Sequence, residues 1–217
     1  MLAEEETQIY QGQFGNFTIT EQDRLGVILY RSGLVISALS FLVGSSLVLG
    51  SENLQAILPL LTPIFAVFSC GLALSLATIH IYLVPLHRLL QLFMVIGTGS
   101  FIIFTLMTPS PVAEYIYEHP LSLLGIGFTF AALTGIYFKE AFCFNRIETK
   151  FLTPLVPLLL LGHLVGILPV STEKLLLSIW SLLFLVFALR KVIQPIPPDI
   201  GDKSVFDYLK HSKASQS

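Results

Sequence analysis

Residues Leu89–Ala113 read LLQLFMVIGTGSFIIFTLMTPSPVA, without a single Asp, Glu, Lys or Arg. A hydrocarbon core of ~30 Å takes about 20 helical residues at a rise of ~1.5 Å each, so this run crosses a membrane with residues to spare. Charge is missing in the same way from Ser32–Ser51, Asn53–His87, His119–Phe138, Phe151–Thr172 and Leu175–Leu189. The last window is short, and spans a bilayer if Arg190 and Lys191 snorkel to the interface on their aliphatic stems. Spans are expected near Val27–Leu49, Ile57–Tyr82, Leu89–Met107, Leu121–Phe138, Phe151–Leu168 and Leu175–Ile193. An outer-membrane barrel would alternate apolar and polar residues over segments of about ten, and no such segment occurs. The expected fold class is all-α, a polytopic membrane bundle of six transmembrane helices in a lipid bilayer.

Composition agrees. Of 217 residues, 54% are apolar and 12% charged, with a mean hydropathy of +0.79. A soluble chain carries roughly a quarter charged residues, and disorder is incompatible with this much aliphatic and aromatic surface. Residues 1–25 read as a polar, hairpin-like segment on the membrane surface, 26–194 as the six-helix domain, and 195–217 as a Pro-containing flexible tail. Thr20 followed by Asp23 marks a helix start with a side-chain cap. The acidic run Glu4–Glu6 is no basic leader region, and no cleavable leader is expected. Cys70 and Cys143 lack the spacing of a zinc site or a disulfide framework and read as small apolar side chains.

Eleven of the 12 Lys and Arg residues fall on one side of this topology; only Lys174 falls on the other, among Glu52, Glu114, Glu118 and Glu173. By the positive-inside bias both termini are expected in the cytoplasm. Small residues at four-residue spacing (Gly33 and Ser37; Gly71 and Ser75; Gly127, Ala131 and Gly135) predict close helix packing. Leu61-Thr62-Pro63 with Gly71 recurs as Leu152-Thr153-Pro154 with Gly162, an offset of 91 residues that suggests a 3+3 inverted repeat. Thr-Pro also suits a helix start, which gives the recurrence a second explanation.

Two histidines are candidates for a cofactor. His163, read as well inside the fifth span, is expected to bond a Ser, Thr or carbonyl of another helix, to serve as an axial ligand to haem or chlorophyll, or to take part in a proton relay; His80 is a weaker cofactor-ligand candidate. No cofactor is predicted outright. The densest polar cluster surrounds the exit of the fourth span, where Lys139, Glu140, Phe142, Phe144 and Arg146, with Arg31 of the first span as a partner for Glu140, make a candidate interaction surface. Sequence signatures of hydrolases, nucleotide-binding proteins and metalloproteases do not occur, so no enzyme and no nucleic-acid partner is expected.

Tyr10-Gln11-Gly12-Gln13-Phe14-Gly15, Phe17-Thr18-Ile19-Thr20, and Asp23 through Arg31 resemble the opening of DUF2301, a family of uncharacterised integral membrane proteins found chiefly in cyanobacteria. Lys139-Glu140-Ala141-Phe142-Cys143-Phe144 and Leu159-Leu160-Leu161-Gly162-His163-Leu164 are similar to two later motifs of that family. The resemblance implies a photosynthetic organism, hence a thylakoid or plasma membrane. The expected role is non-catalytic, in interaction or assembly with other complexes of a bioenergetic membrane. The alternatives are a small-solute transporter built on the repeat and a haem- or pigment-binding protein using His163.

Overall fold

A computed structural model of the chain describes residues 9–205 and Tyr208. A short hairpin, β1 (Ile9–Gln11) and β2 (Asn16–Thr18), precedes α1 (Glu21–Gly50), α2 (Leu54–Thr78) and α3 (Val84–Met107). A short helix, α4 (Val112–Glu118), and a 3-10 turn lead into α5 (Leu123–Phe144); α6 (Ile147–Leu164), α7 (Val170–Val192) and the one-turn α8 (Pro197–Ile200) follow. Six of these helices are long and apolar enough to cross a membrane.

Local chemistry sets the ends. The Thr20 hydroxyl accepts from the Asp23 backbone N–H, and the Asp23 carboxylate accepts from the Thr20 N–H at 2.7 Å, a reciprocal cap for α1. The second span stops at Thr78, short of the expected Tyr82, because Pro85 starts α3 close behind. A proline disfavours helical backbone in the residue before it and suits the first helical turn. His87 and Gln91 of α3 then donate to the Leu76 carbonyl at the end of α2. The fifth span also stops early, at Leu164 rather than Leu168. Gly166, at φ +70°, ends α6 in a left-handed turn in which the Ile167 N–H bonds the Gly162 carbonyl.

Each spanning helix packs on the next, and α7 closes the ring against α1. The α1–α2 seam runs through paired glycines: a Cβ on Gly33 would collide with the Gly71 carbonyl, and one on Gly71 with the Gly33 carbonyl. Beside them Ser37 donates to the Phe68 carbonyl (3.0 Å) and Ser75 to the Tyr30 carbonyl (2.9 Å). The expected stripe on α5 is only partly correct. Gly135 abuts Leu90, but Gly127 faces open space, and Thr129, Ala132, Leu133 and Ile136 form the buried face. Aromatic rings fill the centre: Phe41 lies 4.5 Å and Phe130 5.3 Å from Trp180 between ring centroids, and Phe68 and Phe184 both lie against Phe41. Trp180 Nε1 donates to the Tyr137 hydroxyl at 3.3 Å.

The matched motifs of the repeat do different jobs. Pro63 and Pro154 both lie inside helices, so neither Thr62 nor Thr153 is a cap. Gly71 packs on α1, whereas a Cβ on Gly162 would meet Leu168 of its own helix's exit loop.

The first part of the Pro-containing segment differs from the expected flexible tail. Asp199, Ile200 and Ser204 are buried, and Tyr82 donates to the Ile200 carbonyl at 2.9 Å. Burial and the nearby Asp202 carboxylate push the Tyr82 phenol up to about 12. The Asp202 carboxylate accepts from the Gln13 N–H (2.6 Å), and Lys203 bonds the Asp23 carboxylate (2.7 Å), so hairpin and C-terminal segment lock together. Residues 1–8, 206, 207 and 209–217 lie outside the described residues.

Candidate functional site

A cluster of charge lies inside the membrane-spanning helices at the face that carries the hairpin and α8. Tyr30 and Arg31 come from α1, Lys139 and Glu140 from the last turns of α5, and Arg146 and Glu148 from the start of α6. Arg190 and Lys191 come from the end of α7, Gln194 from the turn after it, and Asp199 from α8. Asn145, at φ +52°, reverses the chain between α5 and α6 and so brings Glu140 and Arg146 to the same rim.

Lys191 is the hub. It is 0% exposed, its Nζ donates to Glu140 Oε2 at 2.7 Å and to Asp199 Oδ1, and it lies 4.1 Å from the Phe144 ring centroid. Glu140, also 0% exposed, accepts on its other oxygen from the Tyr30 hydroxyl (3.0 Å) and Lys139 (2.9 Å). Arg31 meets Asp199 Oδ2 through Nε and Nη2 (2.9 and 2.7 Å) and donates to the Gln194 and Pro195 carbonyls at 2.6 and 2.9 Å. Glu148 accepts from Arg146 (3.3 Å) and Arg190 (2.6 Å), and Arg146 also donates to Gln194. A charge in a low-dielectric interior is tolerated only when paired and hydrogen-bonded; deleting one partner of such a pair costs about 3–5 kcal/mol. The arrangement therefore fastens four spanning helices and the C-terminal segment with α8 at one rim.

This differs from the expected interaction surface. Arg31, Glu140 and Arg146 are interior, Lys139 and Phe144 are half-buried, and among the six only Phe142 stands outside, at 82% exposure. Arg31 pairs with Asp199, not with Glu140. Lys191 turns inward, while Arg190 is half-exposed and bonds Glu148. Asp199 was not expected at all, since its partner Arg31 is 168 residues away. Lys191 was legible: Phe184, Phe187, Ala188 and Lys191 share one helical face, and the first three are core.

The histidines lie at opposite faces. His163 is the penultimate residue of α6, at the membrane edge rather than deep within it. Its Nδ1 is 2.7 Å from Glu173, its ring 4.9 Å from the Tyr117 ring, and Tyr117 donates to Glu173 at 3.4 Å. Burial and this carboxylate push the Tyr117 phenol above its ordinary value. The expected Ser, Thr or carbonyl partner is thus a carboxylate. His80 sits in the α2–α3 connection at the other face, where burial holds its imidazole below the ordinary histidine value. Among the described residues, no three His, Cys, Asp or Glu side chains gather to hold a metal.

A ring of six apolar helices with a buried charge network at one rim defines a polytopic helical membrane protein. A family model described as "Uncharacterized integral membrane protein (DUF2301)" matches residues 74–208. The chain belongs to that family. It is 30% identical over 189 residues to an uncharacterized protein of Haemophilus influenzae, covering 85% of this chain and 91% of the relative. A relative in that organism means that a photosynthetic setting does not follow from family membership alone. No solved structure matches the chain.

Proposed function

We propose that the protein is a non-catalytic membrane component that acts by interaction or assembly in a bioenergetic membrane, thylakoid or plasma, with both termini in the cytoplasm. The observation that carries this reading is the filled centre of the helix ring. Phe41, Phe68, Phe130, Trp180 and Phe184 interlock where a transport path would run, and the buried charges link helices rather than line an opening. Phe142, stacked on the exposed Phe138 at the basic rim, offers an aromatic edge to a neighbour within the bilayer.

The test is the size of the native assembly in mild detergent. Migration within a larger complex that Phe142→Ala releases supports assembly. A monodisperse monomer that takes up solute in proteoliposomes refutes it. Visible absorption lost in His163→Leu would instead favour the pigment-binding reading. One observation favours transport as the second reading: α2 and α6, three spans apart, each carry two internal prolines (Pro59 and Pro63; Pro154 and Pro157), which leave backbone carbonyls without intrahelical partners.

A further inference from the structure

The charge cluster does not balance. Arg31, Lys139, Arg146, Arg190 and Lys191 face only Glu140, Glu148 and Asp199. Every oxygen of those carboxylates already accepts a bond: Glu140 from Tyr30, Lys139 and Lys191, Glu148 from Arg146 and Arg190, and Asp199 from Arg31, Lys191 and Gln194. The excess of two positive charges thus has no carboxylate left to answer it from within. The side chains of four of the cations are exposed by a tenth or less. Arg190 alone opens outward, with half its side chain exposed and one nitrogen bound to Glu148.

The surroundings of Arg190 are those of a lipid contact. Leu189 on α7, Ile193 just past its end, and Ile147 and Phe151 on α6 are exposed apolar side chains at the same end of the bundle. Lys150 is exposed on the same outward face of α6 as Ile147 and Phe151 and adds a further positive charge to this end of the bundle. Cations beside an apolar wall at membrane depth match a headgroup that carries negative charge above acyl chains. We propose that the α6–α7 corner binds the phosphodiester headgroup of an acidic phospholipid through Arg190 and Lys150, with the acyl chains along Ile147, Phe151, Leu189 and Ile193.

The full chain is placed in nanodiscs of mixed phosphatidylglycerol and phosphatidylcholine, released gently, and its retained lipid weighed by native mass spectrometry. Phosphatidylglycerol should be retained in preference. Arg190→Gln should weaken retention about fivefold, the equivalent of the ~1 kcal/mol that one basic residue contributes at an acidic membrane surface. Lys150→Gln should do the same, and it makes no bond to the cluster, so a folding defect in Arg190→Gln leaves the test intact. Arg88→Gln, at another exposed site on the same face, should change nothing. Equal loss in all three variants, or no preference for phosphatidylglycerol, overturns the site. Inorganic phosphate that stabilises the protein in pure phosphatidylcholine as much as phosphatidylglycerol does would point to a free anion, and overturns the lipid reading.

Discussion

Replacing Lys191 by Met removes the cation that stands between Glu140 and Asp199. Glu140 keeps Tyr30 and Lys139, and Asp199 keeps Arg31 and Gln194, but two buried carboxylates then approach the same gap with no charge between them. Methionine fills most of the space against Phe144, so little packing is lost. The cost is therefore that of breaking a buried pair, about 3–5 kcal/mol. Arg190→Gln removes a half-exposed partner of Glu148 while Arg146 remains, and should cost at most ~1 kcal/mol. At roughly 2–4 °C per kcal/mol for a chain of this size, the first variant should melt about 6–20 °C lower and the second within about 4 °C of wild type. Trp180, the single tryptophan, sits in the aromatic centre and reports the melt by its own fluorescence in mild detergent. The double variant Lys191→Met/Glu140→Gln should recover part of the loss, because it removes one of the opposed carboxylates. Equal melting of Lys191→Met and Arg190→Gln would refute the argument, since it would mean that water already reaches Lys191.

Further outcomes are open to direct measurement. Cys143, and a cysteine replacing Glu114, should react with a membrane-impermeant maleimide from opposite faces of sealed vesicles, because α5 alone separates them; labelling from one face would break the topology. Gly33→Leu or Gly71→Leu should destabilise by at least the ~1–3 kcal/mol of ordinary overpacking, whereas Gly127→Leu, facing open space, should be near neutral in the same melt. Burial lowers the His80 pKa in the fold, so the unfolded chain binds a proton first as pH drops; stability should decline from about pH 6.5 down to the lowered value and then level off. His80→Gln should flatten that part of the melting profile, and an unchanged profile would show that another group titrates there.

How far residues alone lead depends on the distance over which they act. Charge-free windows act over a single helix, and the six spans follow from them with ends displaced by a few residues. Two of those displacements, at the ends of α2 and α6, have local causes at Pro85 and Gly166, both visible in the sequence but outweighed by the apolar run around them. The seven-residue α4 is too short for any such window. Side-chain direction was harder: Arg190 and Lys191 are adjacent, yet a helix turns one outward and the other onto the Phe184–Phe187 face. The Arg31–Asp199 pair was beyond reach, because nothing near Asp199 shows that a proline-rich stretch folds back against the first helix.

Arg31 and Asp199 also impose an order on synthesis. At about 5–20 residues per second, the 168 residues between them take about 8–34 s to emerge. Throughout that interval the first helix holds an arginine whose carboxylate has not yet been made. Arg31 therefore has to stay at the water boundary, or borrow a lipid phosphate, until α8 arrives. Asp202 and Lys203, made later still, then bond the Gln13 backbone and the Asp23 carboxylate at the entry to the first helix. A chain cut short after α7 would contain every spanning helix and still leave Arg31 without its carboxylate.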